Sequence, residues 1–340
     1  MTSRQYKYLT PDQVASFMRD GYLRIEGAFS REKAAEWTQD VWTRLGMDPV
    51  DPSTWTEEWT NMPSWKSEAV ETFSPRAWGA IGELVGGHDR IHPEKKHWKL
   101  ETYASRRSDG LIVNLGKAEY VGEAPPDPKS LEGWHCDGDF LDSPEQALLV
   151  VPLFTDIKPQ GGGTFIAPDS IGKIAGYLAD HPEGVMPTGF DFRGIRDSCT
   201  QFVELTGNVG DVVLMHPFML HSKSHNSIRI PRMITNPPVS LLKPFVYSRP
   251  DPSEYSLVEL KTLKELGHDP LHGDGGLDFQ IAHAREGVIP KRLEKQGKWK
   301  VEMEERMRVR QMQLAQQQKQ PQTHAQTPAQ APSQAQGVVA

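Results

Sequence analysis

The chain has 340 residues, with 38 Lys and Arg against 45 Asp and Glu and a formal net charge of −7. This acidic balance argues against a general nucleic-acid or membrane-surface binder, because both need a concentrated positive field. Two cysteines cannot build a disulfide framework, and the longest apolar run, at residues 147–154, is too short to cross a bilayer. The composition therefore predicts a soluble, cytoplasmic protein that binds neither nucleic acid nor membranes.

The first third of the chain is predicted to be helical with one early strand. Thr10 stands before a proline at the first helical position, and apolar residues then recur at helical spacing until Gly21. A short strand is expected at residues 22–25. Ser30 then opens a second helix whose apolar residues continue as far as Leu45.

Tryptophan is concentrated in this part of the chain. Seven of the nine tryptophans lie between Trp37 and Trp98. Ordinary core and surface packing is the expected role for most of them. The alternative is a broad aromatic wall beside a pocket.

From residue 111 onwards, short apolar runs alternate with Gly, Pro, Asn and Asp, a texture typical of antiparallel barrels and sandwiches. One helix is expected at residues 170–179. Candidate strands cover residues 111–115, 148–154, 163–167, 201–205, 211–215 and 233–239. Because no long helices alternate with these strands, we predict a mainly β fold with flanking helices (α+β) around a double-stranded β-helix, or jelly-roll, core.

The predicted organisation is one domain followed by a tail. Residues 303–340 are predicted to be a disordered tail rich in Gln, Pro and Ala, entered through a solvated helix. Residues 1–302 are predicted to be a single domain in three parts: helical at 1–110, jelly-roll at about 111–245, and helical or loop at 246–302.

The triplet His135-Cys136-Asp137 carries the main chemical signal. On an extended chain, His135 and Asp137 project from the same face and Cys136 from the other, where it serves packing. A His-x-Asp triplet alone is a weak signal, and the chain contains a second one at His272 and Asp274. A later partner distinguishes the first triplet.

That partner is His221, which follows a strand-like segment far enough after Asp137 for the chain to run round a barrel and return. Two histidines and one carboxylate leave three coordination positions of an iron ion open, which is the arrangement of non-heme Fe(II) oxygenases. A chelating organic acid then needs a permanent cation for its far carboxylate. Arg232 is the candidate, because arginine binds a carboxylate through two hydrogen bonds.

The ordered set of these residues resembles a known enzyme family. His135-x-Asp137, the run Gly-Asp-Val-Val-Leu-Met-His-Pro before His221, and Arg232 closely resemble the phytanoyl-CoA dioxygenase-like family of Fe(II)- and 2-oxoglutarate-dependent oxygenases. The opening pattern of the chain looks like the N-terminus of that family. The resemblance spans roughly residues 8–265 and excludes the tail.

The resemblance implies that His135, Asp137 and His221 bind Fe(II) and that Arg232 anchors the C5 carboxylate of 2-oxoglutarate. Dioxygen is the other cosubstrate, and succinate and CO2 are the expected by-products of an oxidation, usually the hydroxylation of a C–H bond. The pocket-forming segments hold no concentrated basic cluster for a CoA phosphate. A small organic metabolite is therefore the expected substrate.

Two further cosubstrate contacts are predicted from the same resemblance. Asn114 is similar to a position that often contacts the cosubstrate in relatives. Relatives often have serine two residues after the last histidine, whereas this chain has Lys223 there, between Ser222 and Ser224. Ser222 is the predicted contact, and Ser224 is the alternative.

Other residues compete with these assignments. His216 lies in the same strand and turn as the predicted last ligand and competes with it. His225 is expected at the surface or beside a ligand, and Arg229 is either a salt-bridging residue or a second anion contact. His272 and Asp274 are expected to be turn residues, with a place at the pocket mouth as the alternative.

Two other functions stay open at this point. A Jumonji-type protein hydroxylase shares the His-x-Asp…His ligands, but the arginine eleven residues after the last ligand and the N-terminal pattern weigh against it. The other alternative is a catalytically silent jelly-roll binding protein. The complete ligand set weighs against that function, because packing alone does not require these residues together.

Overall fold

The computed structural model of the chain describes residues 5–62, 66–93, 97–99, 110–138, 140–182, 184, 191–273, 276–278, 301, 305–313 and 315–316. Across those residues, no helix combines the length and the apolar character that crossing a membrane requires.

Five of the described α-helices precede the central strands in the chain, two lie in one internal connection, and one follows the last strand. In chain order they are α1 (Pro11–Asp20), α2 (Arg31–Thr38), α3 (Val41–Leu45), α4 (Val70–Phe73), α5 (Pro75–Val85), α6 (Ile171–Asp180), α7 (Phe192–Ser198) and α8 (Leu257–Glu265).

The strands are short and pair in antiparallel fashion throughout the described residues. They are β1 (Tyr22–Ile25), β2 (Trp59–Asn61), β3 (Ser67–Ala69), β4 (His97–Lys99), β5 (Ile112–Asn114), β6 (Leu148–Pro152), β7 (Phe165–Ala167), β8 (Val203–Glu204), β9 (Val212–Met215), β10 (Leu220–Ser222), β11 (Arg232–Ile234) and β12 (Pro238–Val239).

The main sheet has the strand order β1-β9-β6-β12, and smaller sheets have the orders β10-β7-β8, β11-β5-β2 and β3-β4. Every residue of the central strands β6 and β9 is buried, as expected for strands covered on both faces. Short antiparallel strands with flanking helices confirm the predicted class, a mainly β (α+β) fold with a jelly-roll core.

The predicted strands agree with the observed ones to within two residues at each end, with one exception. The strand predicted at residues 233–239 is divided into β11 and β12, because Asn236 and Pro237 interrupt it and proline has no N–H for the ladder. The helix predicted at residues 170–179 is α6. Strand β10, which carries His221, is absent from the predicted strands.

The first helix begins and ends as its sequence predicts. Thr10 and Gln13 form a capping box, in which each side chain accepts a hydrogen bond from the other's backbone N–H. Gly21 ends α1 with φ at 75°, and its N–H donates to the carbonyl of Phe17 at 2.8 Å. A Cβ at Gly21 would lie 2.0 Å from Cδ1 of Ile171, so this glycine also allows α1 to approach α6.

The second predicted helix is divided into two. Helix α2 ends at Thr38, and α3 begins at Val41. Trp37 of α2 packs against Phe73 and Phe154, with ring centroids 4.6 and 5.6 Å away. This tryptophan therefore serves the core, which is the ordinary packing role expected for most of the cluster.

A buried histidine joins the end of β9 to α8. The Nε2–H of His216 donates to Oγ1 of Thr262 at 3.0 Å, and Nδ1 accepts from the N–H of Phe218 at 3.2 Å. Burial, with a smaller effect from the ammonium of Lys261, lowers the pKa of His216 to about 3. His216 is therefore neutral at physiological pH and holds α8 against the sheet.

Acidification is expected to destabilise the fold through His216. An unfolded histidine binds a proton below its ordinary pKa of 6.5, whereas the folded residue stays neutral down to about pH 3. The unfolded state therefore takes up the extra proton in this window, and the free energy of unfolding falls by at most about 1.4 kcal/mol per pH unit. Thermal unfolding of the wild type and of His216→Gln at about pH 7.5, 6 and 5 measures the effect. An equally steep pH profile in the variant would contradict it.

Part of the predicted C-terminal helix, residues 305–313, is described and helical. The guanidinium of Arg306 donates to the carboxylate of Glu57 at 3.2 Å, and Arg310 donates to the carbonyl of Leu45 at 3.2 Å. This end of the chain therefore contacts the segment that leads into β2.

Most of the predicted tail lies outside the described residues, which include only 305–313 and 315–316 after residue 301. The disorder expected at residues 303–340 and the single domain expected at 1–302 therefore stay predictions.

Candidate metal centre

Two histidines and one aspartate meet beside β10. His135 and His221 form an antiparallel bridge, in which each backbone N–H donates to the other's carbonyl, at 3.0 and 2.9 Å. Asp137 follows on the same extended segment and shares a face with His135. One ligand atom from each of the three side chains lies within 4.8 Å of the other two. The structure thus brings together the three residues that the sequence analysis proposed as ligands.

Backbone carbonyls orient both imidazoles. Nδ1 of His135 lies 2.7 Å from the carbonyl oxygen of Gly133, and Nδ1 of His221 lies 3.0 Å from that of Met219. Because a carbonyl only accepts, each Nδ1 carries the proton and each Nε2 keeps a lone pair. This is the ring state in which neutral histidine binds a metal.

The distances within the group suit an ion between the three side chains. Oδ1 of Asp137 lies 3.7 Å from Nε2 of His135, and Oδ2 lies 3.8 Å from Nε2 of His221. These separations exceed the N–H···O range of about 2.7–3.2 Å, but ligands bound at about 2 Å to one ion lie up to about 4 Å apart. Asp137 is buried, at 4% exposure. Two imidazoles and one carboxylate are the donor set of non-heme Fe(II) sites, so these residues fit an iron ion.

Two described residues of the His-x-Asp triplets, Cys136 and His272, do not belong to this group. Cys136 is buried, with Sγ 3.5 Å from the carbonyl oxygen of Gly138, as expected for a packing residue. His272 lies at the surface with Nδ1 2.7 Å from the carboxylate of Asp269. Asp274 lies outside the described residues.

The other competing histidines also have partners elsewhere. His216 is bonded to Thr262 in the core. His225 has Nδ1 3.2 Å from Oε1 of Glu58, and its ring lies 4.0 Å from that of Tyr120. Neither joins the group of possible metal ligands found among the described residues.

A cavity of about 320 Å³ adjoins the two histidines of this group. This volume is at the lower end of the range for small-molecule sites, about 300–1,000 Å³. Arg232 and both histidines of the group line it, together with five apolar side chains from four strands: Ile112, Leu149, Val151, Met215 and Ile234.

Arg232 stands at the start of β11 and is 1% exposed. Its Nε–H donates to the carbonyl of Gly162 at 2.8 Å, and its guanidinium lies 4.6 Å from the ring centroid of Trp59. Burial lowers the pKa of Arg232 to about 9, and attraction to the carboxylate of Glu204 opposes that shift. The guanidinium is therefore charged at neutral pH and is suited to hold a carboxylate inside the cavity.

Sheet register explains why Arg232 and Trp59 meet. Arg232 pairs with Asn114 of β5, and Asn114 pairs with Trp59 of β2. Directly paired residues project from the same face, so the three form one row across the sheet. The alternative role for the tryptophans, an aromatic wall beside a pocket, therefore applies to Trp59. Trp59 was not among the residues predicted for the site, and its one signal in the sequence was the tryptophan cluster.

Both the nitrogen and the oxygen of the Asn114 side-chain amide form hydrogen bonds within the protein. Its Nδ2 donates to the carbonyl of Ser224 at 3.0 Å, and its Oδ1 accepts from the N–H of Gly116 at 3.0 Å. The described residues that line the cavity do not include Asn114. These bonds point to a structural role, and a cosubstrate contact of Asn114 stays a prediction.

The two serines beside the last histidine differ in position. Ser222 lines the cavity, and its hydroxyl donates to the carbonyl of Glu132 at 2.9 Å. The hydroxyl of Ser224 donates to the carbonyl of Gly163 at 2.7 Å, and the described cavity lining does not include Ser224. Of the two, Ser222 is therefore the one placed to reach a ligand, and its role stays a prediction.

Arg229 has its own partners outside the cavity. Its Nη2 donates to the carbonyl of Pro52 at 3.2 Å, and its guanidinium lies 5.2 Å from the ring centroid of Trp55. These contacts favour the structural role over a second anion contact.

Comparison with known proteins gives one family and several distant structures. Residues 17–233 match the family model of phytanoyl-CoA dioxygenase (PhyH). No curated protein matches the chain. The family match covers more than half of the chain and includes all four residues singled out as ligands and anchor: His135, Asp137, His221 and Arg232.

Three solved structures show low similarity. The chain is 16% identical to SnoK, the non-heme alpha ketoglutarate dependent carbocyclase from nogalamycin biosynthesis, over 68% of this chain and 84% of that one, with a TM-score of 0.41. It is 20% identical to Fe-bound EctD from S. alaskensis, over 72% and 82%, with a TM-score of 0.37. It is 14% identical to HygX from Streptomyces hygroscopicus with nickel and 2-oxoglutarate bound, over 67% and 85%, with a TM-score of 0.37.

Proposed function

The chain belongs to the phytanoyl-CoA dioxygenase family of non-heme Fe(II)- and 2-oxoglutarate-dependent enzymes, and from this we propose that it oxidises a C–H bond of a small organic metabolite. Hydroxylation is the proposed outcome, with succinate and CO2 as by-products. We assign His135, Asp137 and His221 to the iron and Arg232 to the C5 carboxylate of 2-oxoglutarate. The observation that carries this proposal is the convergence of the three ligand atoms within 4.8 Å beside a cavity lined by Arg232.

Each part of the site has a separate task. When bound, the iron and 2-oxoglutarate use dioxygen to supply an oxidant strong enough to remove a hydrogen atom from an unactivated C–H bond. The two histidines and Asp137 would hold the ion through three ligand atoms and would leave coordination positions for the cosubstrate and dioxygen. Arg232 fixes the orientation of the cosubstrate through its far carboxylate, and the apolar wall of the cavity excludes water. The side chain of His135 is 44% exposed, so the substrate approaches from that side.

The size and charge of the cavity support a small substrate. At about 320 Å³ it has room for a cosubstrate and a compact molecule. Apart from the two candidate histidine ligands, its described lining carries the basic side chains Arg232 and Lys223. One of these is assigned to the cosubstrate, so the described lining offers a single further cation, fewer than the phosphates of an acyl-CoA would need.

Anaerobic titration tests the metal and cosubstrate assignment. Purified protein is titrated with Fe(II) and then with 2-oxoglutarate, and the visible metal-to-ligand charge-transfer band is recorded. The proposal expects the band to form, and expects admission of oxygen to yield succinate that increases with the right member of a metabolite panel. Well-folded protein without the band would refute the oxygenase proposal and favour the silent binding protein.

Gly162→Ala is expected to weaken 2-oxoglutarate binding about tenfold. Gly162 has φ at 77°, and a Cβ there would lie 2.3 Å from Nδ2 of Asn114. Alanine must therefore shift the turn whose carbonyl accepts from Nε of Arg232. A displaced guanidinium is expected to lose about one charged hydrogen bond to the cosubstrate carboxylate. That loss lowers the affinity for 2-oxoglutarate roughly tenfold or more.

The matched control for this prediction is Gly176→Ala in α6, where a Cβ would meet nothing within 4 Å. This variant is expected to bind 2-oxoglutarate like the wild type and to unfold at the same or a slightly higher temperature. The same charge-transfer titration compares both variants. Unchanged affinity in Gly162→Ala would contradict the role of this turn.

A further inference from the structure

Two cations contact the ring of Trp59, and their surroundings differ. The guanidinium of Arg232 lies 4.6 Å from the ring centroid, and the ammonium of Lys223 lies 5.6 Å from it. Arg232 is buried, and the carboxylate of Glu204 attracts its positive charge. Lys223 is exposed, and no carboxylate of the described residues lies within 4.0 Å of its ammonium. Lys223 is therefore a cation at the cavity that the described protein does not neutralise at close range.

Lys223 lies where the chain leaves β10, two residues after His221, and lines the same cavity. His221 and Ser222 line the cavity beside it. Arg232 is almost completely buried, whereas Lys223 reaches solvent. We call the part of the cavity at the buried Arg232 its closed end and the part at the exposed Lys223 its open end.

We propose that Lys223 determines substrate specificity by binding a negatively charged group of the organic substrate, while Trp59 packs against the adjacent part of that molecule. The substrate class is a small organic acid with a carboxylate or a phosphate monoester, because an ammonium pairs with either as a point charge. The inference rests on the proposed function, since the cosubstrate occupies the closed end and leaves the open end to the substrate.

The exposure of Lys223 determines under which conditions its ion pair with the substrate contributes strongly to affinity. Water and salt screen an exposed ammonium, so an ion pair in an open cavity contributes little. A substrate that covers the open end removes water from the pair and from the ring of Trp59. Under those conditions a charged hydrogen bond changes affinity about tenfold to hundredfold.

A second role competes for Lys223, that of an additional cation for the cosubstrate carboxylate. The position of Arg232 argues against it, because the buried guanidinium faces the closed end without help from a solvent-exposed side chain. The two roles predict different losses in a Lys223 variant, in substrate affinity for one and in 2-oxoglutarate affinity for the other.

Ligand-observed NMR with a matched acid and amide tests the inference. The protein is loaded with 2-oxoglutarate and with Zn(II), which has no redox chemistry. The probes are hexanoate, hexanamide and hexyl phosphate. We expect at least one anion to bind about tenfold more tightly than the amide or better, and the preferred anion distinguishes a carboxylate from a phosphate.

Three variants connect this preference to Lys223. Lys223→Gln is expected to remove the preference for the anion, and Lys223→Arg to retain it. Lys243→Gln removes an equal charge from another exposed position and is expected to change nothing. Because Lys223 is exposed, none of these changes removes a buried contact, and thermal unfolding checks that the variants are folded.

Three results would overturn the inference. The first is equal affinity for acid and amide in the wild type, including no binding of either. The second is a preference that survives in Lys223→Gln. The third is a tenfold loss of 2-oxoglutarate affinity in Lys223→Gln by charge-transfer titration, which would assign Lys223 to the cosubstrate. A missing charge-transfer band in the wild type would refute the proposed function only. The affinities for the acid and the amide can then still be compared on metal-free protein.

Discussion

Replacing His221 with alanine is expected to abolish the Fe(II)–2-oxoglutarate charge-transfer band and all succinate formation. Loss of an outer hydrogen-bond partner of a metal ligand already costs about tenfold to hundredfold in metal affinity, and loss of the ligand itself costs more. The remaining His135 and Asp137 offer two donors where a stable iron site needs three. Anaerobic titration with Fe(II), followed by 2-oxoglutarate, measures the effect.

The fold is expected to survive this substitution. The bridge between His221 and His135 uses backbone N–H and carbonyl groups, which alanine keeps. His225→Ala is the matched control, because it removes a neighbouring imidazole that contacts Glu58 instead of the candidate ligands. A band of normal intensity in His221→Ala, or its loss in His225→Ala, would show that the ligand assignment is wrong.

Arg232→Gln is expected to weaken 2-oxoglutarate binding by about thirtyfold or more while Fe(II) still binds. Removing one partner of a buried, hydrogen-bonded charge pair costs about 2–5 kcal/mol, and each 1.4 kcal/mol is tenfold in affinity. Glutamine keeps a hydrogen-bond donor near Gly162 but carries no charge. Titration of the Fe(II)-loaded variant with 2-oxoglutarate, without oxygen, gives the dissociation constant.

Two further variants separate this binding effect from a folding defect. Arg232→Lys keeps the charge but loses the planar fork and its stacking on Trp59, so an intermediate affinity is expected. Arg229→Gln removes a guanidinium whose contacts are Pro52 and Trp55, and is expected to bind 2-oxoglutarate normally. If Arg232→Gln folds and binds the cosubstrate like the wild type, the anchor lies elsewhere.

The sequence predicted those parts of the candidate site whose geometry depends only on neighbouring residues in the chain. The alternation of side chains on an extended segment places His135 and Asp137 on one face wherever that segment packs. Capping residues likewise determine where a helix begins, as Thr10 does for α1. For these features, neighbouring residues along the chain carry the whole physical cause.

Choices between chemically equivalent residues were open until the tertiary contacts were known. His216 and His221 share one strand and turn, yet packing against Thr262 buries the first, while the bridge to His135 directs the second to the candidate centre. Asn114 is predicted to contact the cosubstrate, and only the tertiary structure shows that its Nδ2 donates to the carbonyl of Ser224, far along the chain. The deciding partners lie far away in the sequence, and composition or spacing does not reveal them.

The sequence by itself determined the jelly-roll class, the identity of the candidate ligands and the choice of Arg232 as the candidate anchor. Only the tertiary structure decided that Trp59 lies against Arg232, that Lys223 stands at the open end of the cavity, and that Gly162 supports the guanidinium. The physical reason is that periodicity sets which face a residue occupies along its own strand. Which other strand it meets, and in what register, depends on the packing of the whole sheet.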